Sequence, residues 1–350
     1  MAGRGRSIAE RFFKKFEADK ETLALASQQA EELLKEILIN SPALVHLVTT
    51  RCKSPSSLWL KLRDKKYTQP ARQITDVIAA RIITYYKDEV AIIVKILNDA
   101  LEVNQHQSID KREQLASIEF GYTSIHLIAR VKGSWSTSPK YFALRNRWFE
   151  IQVRSILEHA WSEIEHEVVY KSGINYPAFI KRRFARIAGA IEILEDEFVA
   201  LRDHRDELIA TYKLQYDNGQ EDMAEIDSVR LIALLESVRP DSKGWREAEK
   251  RGEPFPPHID NRCVKALKAV GIRNGRALRR TLGSKELKGA EALFVREHRI
   301  LEPISHLNTA RLAVFVHGPK IFLDYFPEMK SDPAILQLLT HRTRRSRMKR

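Results

Sequence analysis

The sequence predicts an α+β fold, a set of β-strands flanked by helices and followed by a mostly α-helical C-terminal extension. Three observations carry this. Segments 125–131 and 149–153 alternate apolar and polar residues at the two-residue period of a half-buried strand. Segment 74–86, ITDVIAARIITYY, is β-branched and apolar enough to be a buried strand. The stretches around and after them repeat apolar residues at three- and four-residue spacing, the period of amphipathic helices. At 350 residues and 43% apolar, the chain is long enough to bury a sizeable core, in two domains or in one domain with a large extension.

Composition narrows the class further. No run approaches the roughly 18 consecutive apolar residues that span a bilayer, and the start, MAGRGRSIAERFFKKFEADK, is charged where a signal peptide is apolar; no membrane association and a cytoplasmic location are expected. Cys52 and Cys263 lie far apart, which supports neither a disulfide framework nor a cysteine metal site. A net charge of +13 makes polyanions plausible partners: nucleotides, RNA or DNA. Part of that excess is the tail HRTRRSRMKR, a solvated arm or a nucleic-acid contact.

Taken in order, residues 8–50 read as helices, with Phe12, Phe13, Phe16, Leu23, Ala26, Ala30, Leu33, Leu34, Ile37 and Leu38 on the apolar side until Ser41-Pro42 breaks the pattern. A basic segment follows, RCKSPSSLWLKLRDKK. In it Ser54-Pro55 opens a helix, which puts Lys61 and Lys65 one turn apart on one side. It is either a solvated cationic face or a polyphosphate clamp. In segment 74–86 Asp76 and Arg81 interrupt an apolar run, where a buried charge needs a partner or a metal. Residues 88–103 return to helix. In FGYTSIHLIARVKG, Ile125, Leu127, Ala129 and Val131 point one way and Ser124, His126, Ile128 and Arg130 the other, with Tyr122 at the mouth.

Residues 134–147 form the loop of a hairpin whose return strand places Phe149, Ile151 and Val153 opposite Glu150, Gln152 and Arg154. From Ser155 the period becomes helical, with His159, Glu163, His166 and Lys171 among the polar positions. A helix from Tyr176 to about Gln215 carries Phe179, Phe184, Ile187, Ile191, Leu194, Phe198 and Leu201, expected to pack onto the sheet. An acidic linker near 217–225 precedes further helices. These include CVKALKAVGIRNGRALRRTLG, which reads first as an ordinary helical hairpin and is only loosely similar to a helix-hairpin-helix DNA-binding element. The expected divisions are 1–215 (helical layer 8–50, sheet about 51–172, packing helices beyond), a helical extension of unknown role at 216–339, and the basic tail 340–350.

Three strand-like segments thus each offer polar groups on a face whose reverse is apolar, and two offer a carboxylate. Two carboxylates beside a Lys/Arg cluster suit Mg²⁺-dependent chemistry on a nucleoside triphosphate. The phrases RCKSPSSLWLKL, DVIAARII, GYTSIH and EIQVRSILEHAWSEIEHEVVYK, in this order, resemble the RelA/SpoT family of alarmone synthetases over about residues 40–200.

That resemblance implies a nucleotidyltransferase-like mixed β-sheet flanked by helices. It implies a GTP pyrophosphokinase of the stringent response, which moves pyrophosphate from ATP to the ribose 3′-hydroxyl of GDP or GTP and makes guanosine tetra- or pentaphosphate. It further implies Asp76 and Glu150 as catalytic Mg²⁺ ligands, Glu150 also being the candidate base. Arg51, Lys53, Lys61 and Arg63 fall around the ATP phosphates and Arg81 on the adenine. Tyr122 falls on the acceptor guanine with Ser124 and His126 beside it, and Gln152, His159 and the Glu165-His166 pair on the acceptor side. The segment QLASIEF departs from the family's Pro-Lys approach to the Gly-Tyr pair, and the N-terminus leaves no room for a hydrolase domain. Two alternatives stay open: a toxin-type pyrophosphotransferase acting on the 3′ end of tRNA, and a catalytically idle nucleotide- or nucleic-acid-binding protein. A homo-oligomer is compatible with all of these readings.

Overall fold

An alternating strand specifies which of its faces is wet; its neighbours decide what that face looks into. A computed structural model describes residues 2–65, 67–110, 124–170, 177–220, 223–238, 261–300 and 304–347. The chain forms two compact units, Met1–Leu201 and Arg202–Arg350.

The first unit opens with helices α1 (Ala2–Ala18) and α2 (Lys20–Leu38), and α2 buries Leu23, Ala26, Ala30, Leu33, Leu34 and Leu38 along one stripe. The helical period does not carry to residue 50. After the break at Pro42, β1 (Val45–Cys52) takes over and pairs antiparallel with β2 (Ile78–Thr84), so its β-branched run is satisfied by a ladder. Between them lie α3 (Pro55–Asp64) and the short α4 (Pro70–Gln73). Ser54 caps α3 by accepting from Ser57 N, with Pro55 in the first turn. The helix ends at Asp64 and Lys65 is extended, so the expected Lys61/Lys65 pairing on one helical face is not made.

Next come α5 (Glu89–Ala100), the edge strand β3 (Leu101–Val103) and β4 (Ile109–Asp110). The expected helix 88–103 therefore gives its last three residues to the sheet. β5 (Ile125–Val131) and β6 (Phe149–Ser155) pair antiparallel, as the hairpin reading requires, and the connection holds α6 (Gly133–Thr137) and a 3₁₀ turn at Pro139–Leu144.

The sheet order is β1-β2-β6-β5-β3, with β4 on β5. β6 runs parallel to β2 and the remaining pairs are antiparallel, which makes the sheet mixed. The last strand among the described residues thus lies in the middle of the sheet. Its Phe149, Ile151 and Val153 are fully buried in one core with Ile78, Ala80 and Ile82 of β2, Leu127 and Ala129 of β5, and the apolar sides of α2 and α5. The opposite face is polar and mostly half-buried, with Arg81, His126, Glu150 and Gln152 beside buried Ala79, Ile83, Ile128 and Arg154.

β6 passes into α7 (Ile156–Glu165) through a capping box, Ser155 accepting from Glu158 N and Glu158 from Ser155 N, and a π-helical turn, His166–Tyr170, follows. The long α8 (Ala178–Asp217) does not present its larger apolar residues to the sheet: Phe179, Ile187, Leu194, Phe198 and Leu201 are exposed. The side it buries carries Ala188 and Glu195, seven residues apart.

The described residues of the second unit are mostly helical. They comprise the end of α8, then α9 (Ser228–Val238), α10 (Asn261–Ala269), α11 (Gly275–Leu282), α12 (Lys285–His298), α13 (His306–His317), α14 (Pro319–Tyr325) and α15 (Pro333–Arg347). Leu231, Leu234, Leu267, Leu278, Phe294, Phe315, Phe322 and Phe326 form its core. The basic tail from residue 340 continues α15 as far as Arg347. Among the described residues no helix is long and apolar enough to cross a membrane.

Candidate active site

Register across the polar face sets the site. Ala79 of β2 faces Glu150 of β6, which faces Ile128 of β5; one step further, Arg81 faces Gln152, which faces His126. Arg51 of β1 stands opposite Ala79, in the row that contains Glu150, and is exposed. Side chains opposite one another share a face, so Arg51, Arg81, Glu150, Gln152 and His126 come from four strands onto one surface.

Asp76 lies just before β2. Lys53 Nζ donates to its Oδ2 at 2.6 Å and Lys61 Nζ to its Oδ1 at 2.9 Å. Burial of this carboxyl pushes its pKa upward, but the two ammonium groups more than offset it, and the net displacement is below the usual aspartate value. Lys61 can reach because the capped α3 carries it back over the strand end. Arg63, two residues on, falls on the other side of the helix, where its Nε donates to Asp64 at 2.9 Å. The structure therefore brings Lys53 and Lys61 to Asp76 and leaves Arg63 out of the cluster. Thr75 and Val77, on either side of Asp76, also line a pocket of about 320 Å³ walled by Phe12, Phe16 and Trp148.

Glu150 is the other half. Gln152 Nε2 donates to its Oε1 at 2.7 Å, and His126 Nδ1 lies 3.1 Å from the same oxygen. Burial raises its pKa and the repulsion of Asp76 adds to that, yet the His126 and Gln152 contacts prevail and hold it below the ordinary glutamate value. Glu150 thus senses the charge of Asp76, and with both pKa values held below their ordinary ones the two carboxylates are ionised at neutral pH. Arg154 continues the row: buried, it donates through Nη2 to Gln152 Oε1 at 3.0 Å, which fixes the amide so that its NH₂ end points at Glu150.

Arg81 Nη1 lies 2.9 Å from Glu163 Oε1 of α7, the ion pair that its place in an apolar strand requires. His159, one turn before Glu163, has its Nδ1 3.8 Å from the same carboxylate oxygen. Burial first, and then the neighbouring Arg154 charge, hold the His159 imidazole below its usual pKa, so it is neutral at pH 7. Ser124 is buried at the head of β5. Tyr122 lies outside the described residues, as does the segment QLASIEF. Glu165 closes α7, and His166 opens the following turn with its side chain exposed.

Two participants were not singled out from the sequence: Glu163, as partner of Arg81, and Glu195 of α8, which accepts from Ser155 Oγ at the end of β6. The i, i+4 spacing of His159 and Glu163 on a polar helical face was the available signal for the first; nothing local marks the second.

Among the described residues no group of three or more His, Cys, Asp or Glu side chains could hold a metal by itself. Magnesium does not need such a cage, since it uses one or two carboxylates, substrate phosphates and its own waters. The donors present fit that mode. The Gln152 and His126 contacts to Glu150 both fall on Oε1, which leaves Oε2 without a hydrogen bond among the described residues, and Asp76 supplies a second hard oxygen pair.

Comparison with known proteins places the same stretch. Residues 50–175 match the family described as a region found in RelA/SpoT proteins. The GTP pyrophosphokinase YjbM of Bacillus subtilis (strain 168) is 27% identical over 172 residues, which cover 48% of this chain and 77% of that protein. Among solved structures, the small alarmone synthetase 1 of Bacillus subtilis aligns with a TM-score of 0.45 and 26% identity over 55% of this chain and 98% of its own. A GTP pyrophosphokinase family protein of Streptococcus pneumoniae aligns with a TM-score of 0.46 and 22% identity, over 55% of this chain and 95% of its own.

Proposed function

We propose that this chain, whose residues 50–175 carry the region found in RelA/SpoT proteins, is a GTP pyrophosphokinase that transfers pyrophosphate from ATP to the ribose 3′-hydroxyl of GDP or GTP. The observation that carries the reading is the pair of ionised carboxylates within the matched stretch, Asp76 held by Lys53 and Lys61 and Glu150 held by His126 and Gln152, with the Asp76 charge felt at Glu150. The matching relative, named a GTP pyrophosphokinase, supports the same reaction class.

The 3′-oxygen forms a bond to the β-phosphorus of ATP while the bond from that phosphorus to the α,β-bridging oxygen breaks, and AMP departs. Little covalent work falls to the protein, so catalysis is positioning and charge stabilisation. Glu150 takes the hydroxyl proton through Oε2, and His126 and Gln152 hold its Oε1 so that the open oxygen is aimed. Lys53 and Lys61, which neutralise Asp76 in the free protein, exchange that partner for phosphate oxygens when ATP enters. Arg81 and Arg51 serve the donor side and Ser124, Gln152 and His159 the acceptor side, and the acceptor base is assigned to Tyr122 by the resemblance alone. Asp76 and Glu150 would hold Mg²⁺, which when bound neutralises charge on the transferred phosphates.

The test offers ATP labelled in its β-phosphate, with Mg²⁺, to GDP, GTP and deacylated tRNA in separate reactions. Label should pass to GDP or GTP, and label passing to tRNA alone would overturn the nucleotide acceptor. Glu150→Gln should lower turnover at least ~10³-fold while ATP still binds. Retained turnover would remove Glu150 from the base role.

A further inference from the structure

The second unit concentrates positive charge in a stretch that lies outside the matched residues 50–175. Between Arg262 and Lys288 stand nine Lys or Arg residues against one acid, Glu286. Over the same span every fully buried residue other than Gly275 and Thr281 is apolar: Cys263, Val264, Ala266 and Leu267 on α10, Ile272 in the turn, Leu278 and Leu282 on α11, Leu287 on α12. The helices are anchored through these, and the cations are what remains outside.

Lys265, Arg273, Arg276, Arg280, Lys285 and Lys288 are exposed. Lys265, Arg273, Arg280, Lys285 and Lys288 contact no acid among the described residues, although cations elsewhere commonly do, as in Lys35–Glu31, Lys140–Glu36 and Lys213–Asp217. Such a collection repels itself and is retained at a cost to stability unless something anionic answers it.

The layout narrows what answers it. The turn Val270–Asn274 joins α10 to α11 and is tight, Gly271 taking φ +87° where a side chain would be strained, and it presents Arg273 between the two helices. Arg276 and Arg280 follow on one side of α11, about 6 Å apart along its axis. Lys285 and Lys288 open α12. No Phe, Tyr or Trp occurs from 261 to 288, so nothing there stacks on an unpaired base. No apolar side chain of this span is left large and exposed for insertion between lipid headgroups. What remains is a cationic surface of guanidinium and ammonium groups suited to phosphodiester oxygens whose bases are already paired.

We propose that the exposed cations of α10, the Gly271 turn, α11 and the start of α12 form a docking surface for the phosphate backbone of double-helical nucleic acid, read without regard to sequence. The proposal is independent of the transfer reaction, since binding is measured without ATP or acceptor. Anisotropy titrations of the full chain against a 20-base-pair RNA duplex, a DNA duplex of the same length, an oligo-dT strand and vesicles of anionic lipid separate the candidates. Wild-type protein should bind duplex with a strong salt dependence, log K falling by roughly 0.9 per phosphate neutralised, and the two duplex arms say whether RNA or DNA is preferred.

The combined variant Arg273→Glu, Arg280→Glu, Lys285→Glu should weaken duplex binding at least ~10-fold at 0.1 M salt and flatten the salt slope by roughly 2–3. The same three positions changed to Gln should lose binding less and also flatten the slope, which keeps the test open should the charge reversal not fold. Arg344→Glu with Arg345→Glu, in the basic tail, should leave the slope unchanged. Duplex binding with an unaltered slope in both the Glu and the Gln variants, preference for the single strand, or binding to vesicles alone would each overturn the proposal.

Discussion

Replacing Glu195 with glutamine should make the first unit less sensitive to pH. Glu195 sits on the buried side of α8, 7% exposed, and takes a hydrogen bond from Ser155 Oγ, the residue that ends β6 and caps α7. Burial is the main cause of a pKa pushed up to about 7 from an ordinary 4.5. The Ser155 hydroxyl and Lys87 pull it down, while Glu158 and Asp196 push it further up, with Lys87 and Asp196 also paired to each other. A raised folded-state value means the native protein holds this proton more tightly than the unfolded chain does. The associated stability is therefore complete below about pH 4.5 and is lost as pH rises through about 7.

With those two values, the loss between pH 5 and pH 8 is about 2.5 kcal/mol, from about 1.4 kcal/mol per unit of displacement. A glutamine in place of Glu195 cannot ionise and can keep the serine contact. Urea unfolding followed by tryptophan fluorescence reports mainly on this unit, because Trp59, Trp135, Trp148 and Trp161 belong to it and only Trp245 does not. The difference in unfolding free energy between wild type and Glu195→Gln should change by about 2.5 kcal/mol between pH 5 and pH 8, the variant gaining at high pH. A change below about 0.5 kcal/mol would refute the reasoning, since it would mean that Glu195 ionises in the folded protein as freely as in the unfolded chain.

Lys53→Met removes the first of the two contacts that hold the Asp76 pKa down, so its carboxyl should move up and the acid limb of kcat/KM should shift to higher pH; an unmoved limb would separate Asp76 ionisation from activity. Arg81→Ala should raise the KM for ATP about 10-fold while costing at most about 1 kcal/mol of stability, because its pairing with Glu163 is partly solvent-exposed; equal KM values would take Arg81 off the donor side. Ser54→Ala should cost about 1 kcal/mol by uncapping α3 and should weaken ATP binding through Lys61, measured by calorimetry; binding unchanged alongside the lost stability would show that the helix does not position that lysine.

Strands with one polar face were the legible part of the fold. The alternation of 125–131 and of 149–153 names the buried residues correctly because side-chain direction in a strand is a local property of period two. β1 was not legible: VHLVTTRC is short, follows a long helical pattern, and gains its strand character only by pairing with β2. The same holds for β3, three residues that read as the end of α5 until β5 lies alongside. α8 shows the converse failure, since helical spacing told which residues share a face and could not tell whether that face would be covered.

By itself the sequence determined the residue types of a two-carboxylate, cation-rich site, the polar face that each strand would present, and the ordered phrases that align with the RelA/SpoT region. Only the tertiary structure decided that Lys53 and Lys61 close on Asp76 while Arg63 turns away, that Arg154 anchors Gln152 and Gln152 anchors Glu150, and that Glu195 reaches Ser155 from forty residues downstream. The physical reason is range. Periodicity and capping act within a few residues, whereas the ionisation of a buried carboxylate depends on charges and donors that meet it only when distant strands and helices come into register.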